Sequence, residues 1–432
     1  MNSIRRFIYA AMGLALLSGS ALGQNYNVRE EVRNDWMKSS GLDNLLDFNV
    51  PALTAAPDGF EPFYVSHYGR HGSRYAYTAS AFTDLLKLLR KADAEDNLTA
   101  YGKVLYKRLD DFYSKSRHKV GNLTTIGWEQ HQKIARCMLE SFPEAFPDGA
   151  RVDALASSST RSILSMSSFC LSLQKEKPGL EIYEHQGFME IQASAPNMGE
   201  NELRYKGPDM PFPYDETVGQ FFLRRFPEWK NVYARMFKDA DKALGNKSPF
   251  SLSDNVYMIV AGMNSLPEDV REDFSDIFTP EEYAAMWEAD NYLRFWEYYK
   301  YKTSCCSVVD DIVNRADPRI AEAERGADLR FGHDHVLMSL LMIMDVDGFG
   351  TVPSSPDEIA YWFQTYRSPM ATNLQFVFYR NAEGTVLVKL LFNGCEAKLG
   401  KLASDCWPYY RWDDARAYLK DKVREFSYPL EN

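Results

Sequence analysis

The strongest constraint on this chain is a pattern that occurs three times: a short β-forming run, a loop rich in Arg, His or Ser, then a segment of helical period. Phe63-Tyr64-Val65-Ser66 leads to Arg70-His71-Gly72-Ser73-Arg74. Residues 151–156 lead through Ser157-Ser158-Ser159-Thr160 to Arg161. Residues 327–332 lead to His333-Asp334-His335, which opens a strongly apolar helix over 335–344. Strands alternating with helices predict an α/β fold. In open α/β sheets ligands bind outside the carboxyl ends of the strands, and all three loops fall there.

The loops would bring together three guanidiniums, imidazoles and one carboxyl. Guanidiniums grip phosphate oxygens in pairs, and three of them unpaired would repel one another unless an anion lay between. A neutral imidazole is a competent nucleophile toward phosphorus. Positive neighbours push its pKa down and keep it unprotonated in mild acid. Asp334 is then the natural general acid for a departing alcohol. Gly72 is expected to let the backbone pass close to the bound group.

Composition narrows the partners. The 432 residues suit two packed units or one core with a large insertion, and 14% aromatic content excludes disorder as the dominant state. A formal charge of −11 repels nucleic acid and anionic membranes, so a polyanionic ligand needs a local basic pocket. Residues 1–23 read as a signal peptide: Arg5 and Arg6, an apolar stretch over 7–17, then Ala21-Leu22-Gly23. That stretch is short for a bilayer span of about 20 residues. The expected mature chain starts near Gln24, in the periplasm or secreted. Of six cysteines, none in a zinc pattern, Cys395 and Cys406 are the expected disulfide; several buried free thiols are the alternative.

Between the motifs, residues 25–51 read as a polar arm. Phe82, Leu85, Leu86, Leu88 and Leu89 predict a helix over 81–91, and residues 128–142 another, capped by Thr124 or Thr125. The helix after Arg161 is expected to bury Ile163, Leu164, Phe169 and Leu171. Residues 374–379 and 385–392 flank Asn381-Ala382-Glu383-Gly384 as a hairpin. Residues 197–317 differ in character: aromatics at helical spacing, among them Phe221, Phe222, Phe226, Trp229, Tyr233 and Phe237, and an acidic run over 267–282 read as a solvated face. Asp345-Val346-Asp347-Gly348 has the start of a calcium loop without its later ligands and reads as a turn. Arg224, Arg225, Lys206 and Lys230 are candidates for extra phosphate contacts.

Tyr68-Gly69-Arg70-His71-Gly72-Ser73-Arg74-Tyr75 resembles the signature of the histidine phosphatase superfamily, in its acid phosphatase and phytase branch. Leu123-Thr124-Thr125-Ile126-Gly127-Trp128-Glu129-Gln130, Ser158-Ser159-Thr160-Arg161 and Gly332-His333-Asp334 resemble three further motifs of that branch. The resemblance implies a Rossmann-like sheet flanked by helices with an inserted, mostly α-helical cap: core over 24–196 and 318–432, cap over 197–317. It implies His71 as the nucleophile that forms a phosphohistidine, and Arg70, Arg74, Arg161 and His333 as the phosphate cradle. Asp334 is implied as proton donor, with His335 and Tyr75 behind these. It implies no metal or other cofactor, because the arginines neutralise the transition-state charge.

Ser73-Arg74-Tyr75 looks most like the multiple inositol polyphosphate phosphatases. Those carry His-Ala-Glu where this chain has His333-Asp334-His335, so the acid is of the phytase type, and His335 stands where phytases have Thr. Tyr77 and Thr78 occupy the place of a basic residue found in some bacterial phytases. The phosphate site carries over more firmly than the inositol specificity. The substrate expected is a small phosphomonoester, an inositol polyphosphate such as phytate, with sugar phosphates as the alternative. A binder that has lost turnover is countered by the intact His71 and Asp334. Activity is expected to peak below neutrality.

Overall fold

Every β-forming run singled out becomes a strand, and the strands meet in one sheet. The structure, a computed structural model, describes residues 27–186 and 212–427. The signal-peptide segment and Lys206 lie outside the described residues. In chain order the strands are β1 (Glu61–Arg70), β2 (Arg151–Ala156), β3 (Glu181–Gln186), β4 (Gly326–Gly332), β5 (Asn373–Arg380), β6 (Val386–Phe392), β7 (Cys395–Glu396) and β8 (Tyr409–Arg411). The sheet order is β3-β2-β4-β1-β5-β6-β7, with β8 also on β6. β1, β2, β3 and β4 run parallel; β5 and β6 pair antiparallel as the expected hairpin.

The register does the positioning. β4 lies between β1 and β2, with Arg70 opposite Gly332 and Ala156 opposite Phe331. The three loops therefore leave the same edge side by side. The Gly332 carbonyl accepts from His71 N at 3.0 Å and from Ser162 Oγ at 3.3 Å, tying all three motifs to one atom.

Helices cover both faces. We label α1 (Val28–Asn34), α2 (Ser80–Ala94), α3 (Ala100–Ser116), α4 (Thr125–Ser141), α5 (Thr160–Glu176), α6 (Pro249–Gly262), α7 (Pro280–Lys300), α8 (Lys302–Ala321), α9 (Asp334–Ile343) and α10 (Trp412–Phe426). On one face Met138 of α4 and Phe169 and Leu173 of α5 pack against Val65, Val152 and Phe331. On the other, Val309 and Ile312 of α8, Leu337 of α9 and Trp412 of α10 pack against Tyr64, Phe376 and Phe378. A third core takes no strand residue: Val28, Phe82, Leu85, Leu105, Tyr233, Val260 and Trp287 bring α1, α2, α3, α6 and α7 into a separate helical body. The body thus draws on residues 80–116 as well as on the insertion, while α8 belongs to the layer against the sheet.

Four expectations need correction. The arm at 25–51 is not merely polar: Asn27 caps α1, which buries Val28 and Val32, and Leu42 is buried as well. In α5 the buried face is serine-rich, and Leu164 and Leu171 are 36% and 55% exposed. Ser168 Oγ donates to Trp128 O at 2.6 Å and Ser172 Oγ to Gln132 O at 3.2 Å. Small hydroxylated residues let α5 lie close on α4, which larger side chains would prevent. Third, Cys395 and Cys406 are free, as are the other four cysteines. Cys395 pairs with Phe392, whereas Cys406 bridges Tyr409, whose partner on β6 is Lys389. Three residues of strand span about 10 Å, too far for the Cα separation of about 4.4–6.8 Å that a disulfide needs.

Fourth, Gly72 makes its close approach to protein backbone. A Cβ there would lie 2.4 Å from the Gly127 carbonyl oxygen, and one on Gly127 would lie 2.3 Å from the Ser73 oxygen. The two glycines stand back to back and let the loop after β1 sit directly on the start of α4. The 345–348 segment is a turn with Asp345, Asp347 and Gly348 at positive φ, and Asp345 Oδ1 accepts from Gly350 N.

Candidate active site

The loops enclose a cavity of about 580 Å³ lined by Arg70, His71, Arg74, Arg161, His333, Asp334 and His335 among others. His71 follows directly on β1 and is 1% exposed. Its Nδ1 lies 2.9 Å from the Gly72 carbonyl oxygen, which can only accept. Nδ1 therefore carries the proton and Nε2 the lone pair. The loop is pinned from behind: Gly72 N donates to Ser165 Oγ and Ser73 N to Gln130 Oε1. Thr124, the cap of α4, donates through N and Oγ1 to Ser73 O. This is what the Leu-Thr-x-x-Gly-x-x-Gln segment does; it is a brace for the loop that carries the nucleophile candidate.

The arginines have different anchors. Arg70, also 1% exposed, spends Nη1 on the carbonyls of Leu42 and Ser368 at 2.7 and 2.9 Å. Arg74 sits 3.5 Å from an Asp43 oxygen. Arg161, the second residue of α5, and Arg74 each lie over the Tyr77 ring, 5.6 Å from its centre. Arg70 Nε, Arg161 Nε and His333 Nδ1 are buried without a hydrogen-bond partner among the described residues. Unsatisfied buried donors are rare in native proteins. Several around one cavity mark a place for an external acceptor.

The electrostatics follow. Burial, then Arg161 and Arg70, hold His71 well below the usual histidine pKa, so it stays neutral in acid. Burial and the adjacent Arg161 bring His333 to about 3, and its ring stands 5.4 Å from that of His71, edge to face. Burial and the Arg74 charge lower Arg161 to about 10. Asp334, first residue of α9, is also lowered, which for a carboxyl means that it is held charged. Burial opposes its ionisation, yet Arg70, His335 and a hydrogen bond from Tyr298 together hold it well below the carboxylate range.

His335 stacks on His333 at 5.4 Å and faces the ring of Tyr301. Tyr75 is not brought to the cavity; its hydroxyl meets Lys119 Nζ at 3.3 Å, and Tyr77 takes the position beside the arginines. Arg224 is held by Glu216 and Asp357, Arg225 by Glu288, and Lys230 by Asp241; none of them lines the cavity. Sequence reasoning missed Asp43 and the α7 wall of Asp290, Arg294, Glu297 and Tyr298. Arg294 donates to Asp290 and Glu297 at 3.0 and 2.9 Å. The available signal was a polar stripe at spacings of four and three on an otherwise aromatic helix.

Comparison with known proteins fits this geometry. Residues 69–393 match the histidine phosphatase superfamily (branch 2). No curated protein sequence matches the chain. Among solved structures, multiple inositol polyphosphate phosphatase from Bifidobacterium longum, in complex with inositol hexasulfate, superposes with a TM-score of 0.70 at 15% identity, over 89% of this chain and 98% of that one. The phytase from D. castellii gives 0.62 at 15%, over 93% and 86%. The phytase from Citrobacter braakii gives 0.53 at 12%, over 85% and 99%. At these identities the likeness is one of fold. With three quarters of its length matched by the family and that family's motifs gathered at one sheet edge, this chain belongs to branch 2 of the histidine phosphatase superfamily and is a phosphatase.

Proposed function

We propose that the chain is an exported phosphomonoesterase that works through a phosphohistidine on His71 without a metal ion, with inositol polyphosphates such as phytate as substrates. The observation that carries this reading is the set of unpartnered nitrogens, Arg70 Nε, Arg161 Nε and His333 Nδ1, on residues that line one cavity with His71. Arg70, Arg74, Arg161 and His333 take the phosphoryl oxygens and offset the charge that develops on them. The Nε2 lone pair attacks phosphorus, the P–O ester bond breaks, and the leaving oxygen takes a proton from Asp334. The bound phosphate dianion raises the Asp334 pKa and so supplies that proton. Water then attacks the phosphohistidine, giving its proton to Asp334 and releasing phosphate. The helical body over the cavity acts as the cap, and the leader at residues 1–23 directs export.

One observation favours a second reading, a sugar phosphate or another monoester with an uncharged leaving group. On the wall away from the cradle, Arg294 is the cation among the described lining residues, and it is bound by Asp290 and Glu297. Further phosphates would find no free positive partner there among the described residues. Comparing kcat/KM for phytate and glucose phosphate decides between the two. Incubation with a chromogenic phosphate ester in EDTA tests the chemistry itself: turnover is expected, and His71→Ala should abolish it. Turnover by His71→Ala, or tight phosphate binding with no turnover by the wild type, overturns the reading.

A further inference from the structure

Asp334 has a partner that the motif does not supply. Tyr298, near the end of α7 and 2% exposed, directs its hydroxyl at Asp334 Oδ2, 2.5 Å away. Its backbone carbonyl lies 3.1 Å from Ser339 Oγ of α9, whose one proton is shared with the His335 carbonyl 2.7 Å away. Its ring packs beside Phe363. The Tyr298 side chain is thus fastened to α9 at Asp334, and its backbone lies against the same helix at Ser339. The other carboxylate oxygen, Oδ1, is 3.8 Å from Arg70 Nε, on the side of the cradle.

A carboxyl at the first position of a helix has rotational freedom that a general acid cannot use. With Oδ2 fixed from the α7 side, Oδ1 is the oxygen left to face the leaving group. We propose that Tyr298 is a positioning residue for Asp334, by which the helical body sets the geometry of proton delivery to the leaving group. The inference rests on the phosphatase reading and deepens it. The charged and titratable groups facing Asp334 are Arg70 and Tyr68 from β1, Arg161 from α5, His333 and His335 beside it in the chain, and Arg294 and Tyr298 from α7. Of these, Tyr298 is the one hydrogen-bonded to Oδ2 among the described residues.

The test is Tyr298→Phe, which removes one oxygen and keeps the ring, assayed on two esters. An alkyl phosphate needs a proton on its leaving group, whereas nitrophenyl phosphate leaves largely without one. Since general acid catalysis is worth about 10²–10⁴-fold, misplacing the acid should lower kcat/KM, which is set before the hydrolysis step that both esters share, by about 10–100-fold for the alkyl ester. The nitrophenyl ester should lose less than about threefold, and inhibition by inorganic phosphate should be unchanged. The alkaline limb of the alkyl-ester profile should move to higher pH, because a hydrogen bond that stabilises the carboxylate has been lost. Equal losses on both esters, no loss on either, or weakened phosphate inhibition would overturn the inference while leaving the phosphatase reading intact. A wild-type chain that hydrolyses neither ester would instead overturn both.

Discussion

Two groups of buried arginines share this sheet and are treated in opposite ways. Arg330 sits on β4 two residues before the loop, opposite Tyr68, and Arg319 lies on α8 beneath it. Asp311 takes Arg330 at 2.7 Å, and Ser66 accepts from it as well. Asp153, Asp328 and Glu324 all take Arg319 at 2.8–3.0 Å, and Tyr64 caps the remaining Asp328 oxygen. Burial is the largest influence on Arg330 and pulls its pKa down, but Asp311, Tyr64 and Asp328 together outweigh it and leave it raised. At the loop edge the balance reverses: burial wins, and Arg70 and Arg161 are lowered. The difference teaches where the ligand goes. Deeper in the fold a buried arginine is held by carboxylates at 2.7–3.0 Å, whereas at the loop edge Arg70 and Arg74 stand 3.8 and 3.5 Å from Asp334 and Asp43, too loosely paired to offset burial at Arg70, and an outside anion can complete the site.

That contrast can be broken most forcefully at Arg319. Arg319→Ala leaves Asp328 buried without its cation and Asp153 with Arg151 alone, and removing one partner of a buried pair costs about 3–5 kcal/mol. The denaturant midpoint should fall accordingly, with kcat/KM per folded molecule unchanged. Arg161→Ala should do the converse. Loss of one donor to developing charge costs about 10²–10³-fold in rate, while the thermal midpoint holds or rises because a repulsive charge is gone. Loss of stability in Arg161→Ala, or of activity in Arg319→Ala, would erase the distinction.

A smaller effect sharpens it. Inorganic phosphate at about 100 times its dissociation constant should stabilise the wild type by about 2.7 kcal/mol, read as a thermal shift. The shift should persist in Arg319→Ala and shrink in Arg161→Ala measured at the same phosphate concentration. If phosphate stabilises both variants alike, the anion binds elsewhere.

What the sequence disclosed and what it withheld divide along the same line. Arg70, His71, Arg161, His333 and Asp334 were legible because each stands at a fixed offset from a strand end, and strand ends are local features. Residues 151–156 became β2 for that reason. Asp43, Arg294 and Tyr298 were not legible, since their place depends on how α1, α2, α3, α6 and α7 assemble from distant parts of the chain. Apolar spacing misread α5 because packing against α4 favoured serine over leucine. The Gly72–Gly127 contact was invisible in either segment alone; each glycine explains the other only when the two are brought together.

The pH profile carries the comparison to its finest scale. On the proposed mechanism His71 is neutral and Asp334 protonated in the complex of the wild type, so activity should peak below pH 7 and decline above it. A rate still climbing above pH 8 would remove Asp334 as the acid. Arg161 acts on both groups: its charge repels a proton from His71 and favours ionised Asp334. Without it the imidazole accepts a proton more readily, so its pKa rises and the acid limb moves up. The carboxylate loses an attractive charge, so its pKa rises too and the alkaline limb follows. Arg161→Ala should therefore shift the whole bell to higher pH, by less than about one unit for a partly screened charge, while Arg319→Ala leaves it in place. Limbs that moved in opposite directions would mean that the two groups do not share the field of one guanidinium, and the cradle would have to be drawn without Arg161 between them.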